Sequence, residues 1–144
     1  MSDSPSPRQS TGLHHVALRS TNFERTLRFY CEGLGFTRKV AWTMGKDNAT
    51  QAVMLDAGDG NYIEVFSNGT EDEPAEARYA HVCLRTDDLE RSHAAALTAG
   101  ATERIAPTQV DIADQISGES VPVRLSFVIG PDGEVIEFMQ GAKL

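Results

Sequence analysis

Residues 13–19, LHHVALR, alternate in character along an extended chain. Val16 and Leu18 share one side, and His15, Ala17 and Arg19 share the other, the period of two expected of a strand. On that reading His14 points away from His15 and serves packing or the surface. The period then lengthens. Thr21 and Glu24 form a T-x-x-E capping box, and Phe23, Leu27 and Tyr30 fall on one helical face. Gly33 and Gly35 end that helix. Strands are expected near 36–44, 50–57 and 60–67, with Gly58-Asp59-Gly60 as a hairpin turn. Further on, the pattern predicts a strand at 79–86 and a helix from Asp87 to about Ala99, stopped by Gly100. Strands follow near 102–106, 123–129 and 133–140, with Pro131-Asp132-Gly133 as the last turn. Residues 107–122 show the least regular pattern and are expected to form a loop flanking an active site.

Both halves read βαβββ because the chain repeats itself. Residues 15–26 (HVALRSTNFERT) and 81–92 (HVCLRTDDLERS) share six of twelve positions at an offset of 66. Residues 59–66 (DGNYIEVF) and 132–139 (DGEVIEFM) match again at an offset of 73. The expected organisation is a disordered tail at 1–11, a first module at 12–67, an acidic linker at 68–78 carrying Pro74, a second module at 79–140, and a C-terminal end at 141–144.

The repeat places one His and one Glu per half on the strand faces opposite the purely apolar ones. Val82 and Leu84 oppose His81, Cys83 and Arg85; Ile63 and Val65 oppose Tyr62, Glu64 and Phe66; Ile136 and Phe138 oppose Val135, Glu137 and Met139. An ionised Glu on a covered sheet face is costly unless paired or metal-bound. One half alone would read as a buried His–Glu ion pair. The same pair in the same register in both halves favours a metal set of His15, Glu64, His81 and Glu137. Imidazole and carboxylate donors suit Ni, Co, Zn, Mn or Fe(II), and four of them leave two octahedral positions for water or substrate. Arg19 and Arg85 share that face, where each either recognises a substrate anion or neutralises a nearby acid. Tyr62, Phe66, Trp42 and Met139 either line an apolar pocket or pack the core. Cys83 and Cys31 read as packing residues, and His93 as a solvated or packed one.

Composition narrows the partners. The 144 residues carry 13 basic and 21 acidic side chains, a net charge of -8, which disfavours nucleic acid. Two cysteines do not make a disulfide scaffold, so a cytoplasmic chain with free thiols is expected. The polar start MSDSPSPRQST does not resemble a signal peptide, and no apolar run is long enough to cross a membrane.

The segments HVALRSTNFERTLRFYCEGLGF, NYIEVFSNG, HVCLRTDDLE and PDGEVIEF resemble the vicinal oxygen chelate superfamily across residues 13–140. That group includes glyoxalase I, methylmalonyl-CoA epimerase, extradiol dioxygenases, and fosfomycin and bleomycin resistance proteins. The resemblance implies an α+β fold, two βαβββ modules forming a cupped mixed sheet around one metal, held by His15, Glu64, His81 and Glu137. That ligand set resembles bacterial glyoxalase I. Epimerases usually show Gln at the position of Glu64, extradiol enzymes use His, His and Glu, and bleomycin-binding members lack the set. The implied activity is a lyase or isomerase reaction on a small substrate with vicinal oxygens, through an enediolate-type intermediate. Glu137 is then the catalytic base, with Glu64 assisting. Arg19 and Asn68 match glutathione-contacting positions, which implies a glutathione or other thiol adduct as substrate. Where glyoxalase I carries a basic, glycine-rich loop, this chain has TQVDIADQISGESVPVR, acidic until Arg124. The alternatives are an Fe(II) extradiol-type dioxygenase and a non-catalytic small-molecule-binding protein. The resemblance also implies a homodimer, with each site inside one chain or shared between two.

Overall fold

A computed structural model describes residues 7–131 and 133–144. Eight strands form one mixed sheet: β1 (Gly12–Arg19), β2 (Thr37–Met44), β3 (Thr50–Gly58), β4 (Asn61–Phe66), β5 (Tyr79–Arg85), β6 (Thr102–Ala113), β7 (Ser120–Ile129) and β8 (Val135–Gln140). Their order is β2-β3-β4-β1-β5-β8-β7-β6. Within each half the first strand pairs in parallel with the last, β1 with β4 and β5 with β8. The two halves join through the antiparallel pair β1–β5.

The helices α1 (Phe23–Leu27) and α2 (Leu89–Thr98) follow the first strand of each half. Leu27 packs with Val53, Leu55 and Val65 beneath α1, and Leu89 with Val128 and Phe138 beneath α2. Both helices start with the same chemistry, but not at Thr21. The cap is Asn22, whose Oδ1 accepts from Arg25 N at 3.1 Å; Asp88 does the same for Arg91 N at 3.1 Å. Asn and Asp are strong N-caps, and the extended backbone at Asn22 suits the role better than a residue further back in the turn. After Leu27 the first helix widens into a π turn, Arg28–Gly33. The Asp59-Gly60 turn between β3 and β4 has positive φ at both residues, 54° and 74°, the type I′ geometry that matches strand twist.

The stretch 107–122 is not a loop. β6 continues through Ala113 and β7 begins at Ser120. Pro107 disguised this: the register shifts between Glu103 and Ile105 and again between Ile105 and Thr108, across the proline, and β6 is an edge strand with mostly exposed side chains, where Pro is tolerated and alternation is weak. Of the expected tail, residues 1–6 lie outside the described residues, whereas Thr11 N donates to Arg85 O at 2.8 Å and Ser92 Oγ donates to Gln9 O. Asp132 of the last predicted turn also lies outside them. Among the described residues no helix is long and apolar enough to cross a membrane.

The sheet curls until its two edges meet. Gln115 N, just past β6, donates to Ala41 O of β2 at 2.8 Å. Asp114 Oδ1 accepts from Ala41 N at 3.2 Å and Ile116 N at 3.0 Å, while Oδ2 accepts from Ser117 Oγ at 2.6 Å. Burial opposes the charge on Asp114, but these donors win and hold its pKa near 2, below the ordinary 3.8. The contribution of this clasp is therefore complete above pH 3.8 and fades as pH falls through about 2. Asp114→Ala is expected to cost about 1–3 kcal/mol by stranding the Ala41 and Ile116 amides. Denaturant titrations at pH 7 and pH 2.5 test this; a wild-type advantage that does not shrink at the lower pH would contradict it.

Candidate metal centre

Strand register assembles the site. Glu64, Ala17 and His81 lie side by side across β4, β1 and β5. His15, Cys83 and Glu137 lie side by side across β1, β5 and β8. The two rows are images of each other under the sequence repeat, so each half contributes a His to one row and a Glu to the other. Small residues, Ala17 and Cys83, sit between the donors and let them lean together.

The structure brings all four predicted ligands to one point. His15 Nε2 lies 2.9 Å from His81 Nε2. Glu137 Oε2 is 3.2 Å from His15 Nε2 and 2.9 Å from His81 Nε2. Glu64 Oε1 is 3.4 and 3.2 Å from the same two nitrogens. His15, Glu64 and Glu137 are buried, and His81 is half-buried. Donors bonded at about 2.1 Å to one octahedral cation stand about 3 Å apart on neighbouring vertices. The observed separations fit that spacing. Protein–protein bonding does not account for them as well: two imidazole nitrogens facing each other cannot both hold a proton, and buried Glu64 Oε1 makes no hydrogen bond. Burial by itself would lower the His15 pKa, yet contacts with Cys83, Glu137 and Glu64 push it up to about 12. Burial would raise the Glu64 pKa, but the two histidines hold it near 2. The donor set thus demands positive charge at its centre. A divalent cation would supply it without protons between the ligands.

His14 does not point away from His15. A β-bulge between Leu13 and His15 sets two residues of β1 against one of β5 and turns His14 to the same side. There it stacks on Tyr62 at 4.9 Å, and its Nδ1 stands 2.8 Å from Nδ1 of His15. Burial first, then the charges of His15 and Arg85, lower the His14 pKa to about 4, so the ring is neutral at pH 7. With His15 Nε2 bound to a cation, its Nδ1 would carry the proton and donate it to His14 Nδ1. Sequence reasoning missed this partner; the HH doublet was its one visible sign. His14→Phe, which keeps the stacking and removes the acceptor, is expected to weaken metal binding about 10–100-fold. Chelator competition reads the change, and unaltered affinity would show that His14 only packs.

The donors open on a cavity of about 200 Å³. Glu64, His81 and Glu137 form its floor, and its walls include Trp42, Phe66, Leu125, Phe127 and Met139. His81 is braced by Phe127 at 5.3 Å and Phe66 at 6.4 Å. Of the four apolar candidates, Tyr62 belongs to the core beside Val40, Met54 and Cys83, while the other three reach the cavity. Cys83 is buried, and burial pushes its thiol up to about 12, so it stays protonated. Arg19 and Asn68 do not line the cavity. Arg19 Nη2 donates to Glu73 Oε2 at 3.0 Å and to Ala77 O, in the segment linking the modules. Asn68 is exposed beyond β4. Arg85 donates to Gly60 O in the β3–β4 turn. His93 pairs with Glu103 at 2.7 Å, far along the chain from the donors.

A family profile described as the glyoxalase/bleomycin resistance protein/dioxygenase superfamily matches residues 12–138. The chain belongs to that superfamily. Its members are enzymes or binding proteins for small molecules, and the His/Glu cluster is a group able to hold a divalent metal. The chain is similar over 130 residues to the uncharacterized protein YwbC of Bacillus subtilis (strain 168), 27% identical over 89% of this chain and 96% of that one. The fold is similar to a hypothetical protein from Bacillus halodurans C-125, with a TM-score of 0.66 and 15% identity over 92% of this chain and 95% of the other. It is also similar to methylmalonyl-CoA epimerase from Mycobacterium tuberculosis, with a TM-score of 0.62 and 17% identity over 97% and 94%.

Proposed function

We propose that this superfamily member is a metal-dependent lyase or isomerase of glyoxalase I type, acting on a small substrate with vicinal oxygens. The observation that carries the reading is the full set of four converging donors. His15, Glu64, His81 and Glu137 would hold one divalent ion, Ni, Co, Zn, Mn or Fe, with room for two substrate oxygens on the cavity side. The ion would act as a Lewis acid, stabilising negative charge on those oxygens. Glu137 would take a proton from the carbon beside the carbonyl and return it to the neighbouring carbon, with Glu64 assisting. The apolar walls keep bulk water from the carboxylates, and His14 and the two phenylalanines hold the histidine rings in place. A three-ligand extradiol site would leave Glu64 without a purpose, which favours the isomerase over the dioxygenase. The reading includes a homodimer as its assembly, which sedimentation would measure. In this structure the four donors come from one chain, so a site needs no exchange of modules.

The direct test incubates the metal-loaded protein with α-hydroxycarbonyl compounds in D2O. Deuterium is expected to enter the carbon-bound positions beside the carbonyl, seen by NMR, with Ni, Co or Zn bound. Oxygen consumption with a catechol under Fe(II), and no exchange, would instead establish the dioxygenase.

A further inference from the structure

We infer that the site takes a substrate whose body, beyond its two chelating oxygens, is small, uncharged and apolar, rather than a charged thiol-peptide conjugate. The inference rests on the metal-dependent reading above and concerns what lies around the donors. The cavity wall is formed by Trp42, Met44, Phe66, Val110, Leu125, Phe127 and other apolar side chains; apart from Glu64, His81 and Glu137 it carries no ionisable group among the described residues. Its volume equals about seven liquid waters and falls below the roughly 300–1,000 Å³ of sites for drug-sized ligands.

Charge counting points the same way. Two carboxylates and two neutral imidazoles around a divalent ion sum to zero. A carboxylate tail carried into such a wall would lose its water and find no cation. The arginines on this face of the strands are engaged elsewhere: Arg19 with Glu73 and Ala77 O, Arg85 with Gly60 O. Arg124, where the sequence turns basic again, pairs with Glu90 at 2.5 Å. Flat aromatic faces at Trp42, Phe66 and Phe127 suit one ring of substrate.

Trp42 is the single tryptophan of the chain and stands in the wall, so its fluorescence reports occupancy. The full chain loaded with Co2+ would be titrated with maltol, a neutral hydroxypyranone, and with comenic acid, which adds a carboxylate to the same type of chelating ring. Maltol is expected to change Trp42 emission saturably, with comenic acid weaker by about tenfold or more. Val110 is 39% exposed at the rim, so Val110→Lys tolerates its charge. That variant is expected to shift the comenic acid to maltol affinity ratio in favour of comenic acid by about fivefold or more. Comenic acid binding wild type as tightly as maltol would overturn the inference, as would Co2+ bound with Trp42 silent to both probes. In either case the metal reading stands. Failure of the chain to retain Co2+ at all would overturn the metal reading, and this inference with it.

Discussion

Glu137→Gln is expected to reduce turnover by at least about a thousandfold while the protein stays folded. The amide is nearly the same shape as the carboxylate and fits the same buried space, 2.9 Å from His81 Nε2. It still offers one oxygen to a cation, so metal is expected to remain with weakened affinity. What it loses is the capacity to accept a proton from carbon. Comparison with Glu64→Gln makes the assignment sharp. The two carboxylates are images of each other under the repeat, so geometry alone would let either serve. If Glu137 moves the proton and Glu64 assists, the Glu64 variant retains the larger share of activity. Full activity of Glu137→Gln, or a larger loss at Glu64, would overturn the assignment. Deuterium exchange and turnover should fall together, since both report the same proton.

His81→Gln is expected to lower metal affinity by more than about a hundredfold, beyond the loss foreseen at His14. His81 meets each of the other three donors, His15 at 2.9 Å, Glu137 at 2.9 Å and Glu64 at 3.2 Å. Removing it leaves two buried carboxylates facing one imidazole. The uncompensated charge also costs stability, so Gln, which keeps a polar end, is the more informative replacement than Ala. Chelator competition with Zn2+ or Co2+ gives the affinity, and circular dichroism checks the fold. Wild-type affinity in a folded His81→Gln protein would remove His81 from the ligand set.

The strand pattern made the site legible because a sheet converts sequence parity into a face. His15, Glu64, His81 and Glu137 could be named from parity and repetition before any pairing was known, and the register then placed them in two crossed rows. Parity failed where the backbone broke it. The bulge before His15 moved His14 to the cup side, a shift that strand parity does not register. Pro107 and the exposed edge hid the extent of β6 and β7, and with it the part of the wall formed by Val110 and Ile112. Asp114 was likewise unreadable, since its main-chain partner Ala41 lies 73 residues away and belongs to the opposite edge. Asn68 came from likeness alone and Arg19 from parity and likeness together, and the structure sets both outside the cavity wall.

Metal stoichiometry tests the four-donor site most directly. The full chain, stripped and then dialysed against limiting Co2+, Ni2+ or Zn2+, should retain one ion per chain by elemental analysis, and His81→Gln dialysed alongside it should retain almost none. A folded wild-type protein that retains no divalent ion, or retains as much as the variant, would contradict it.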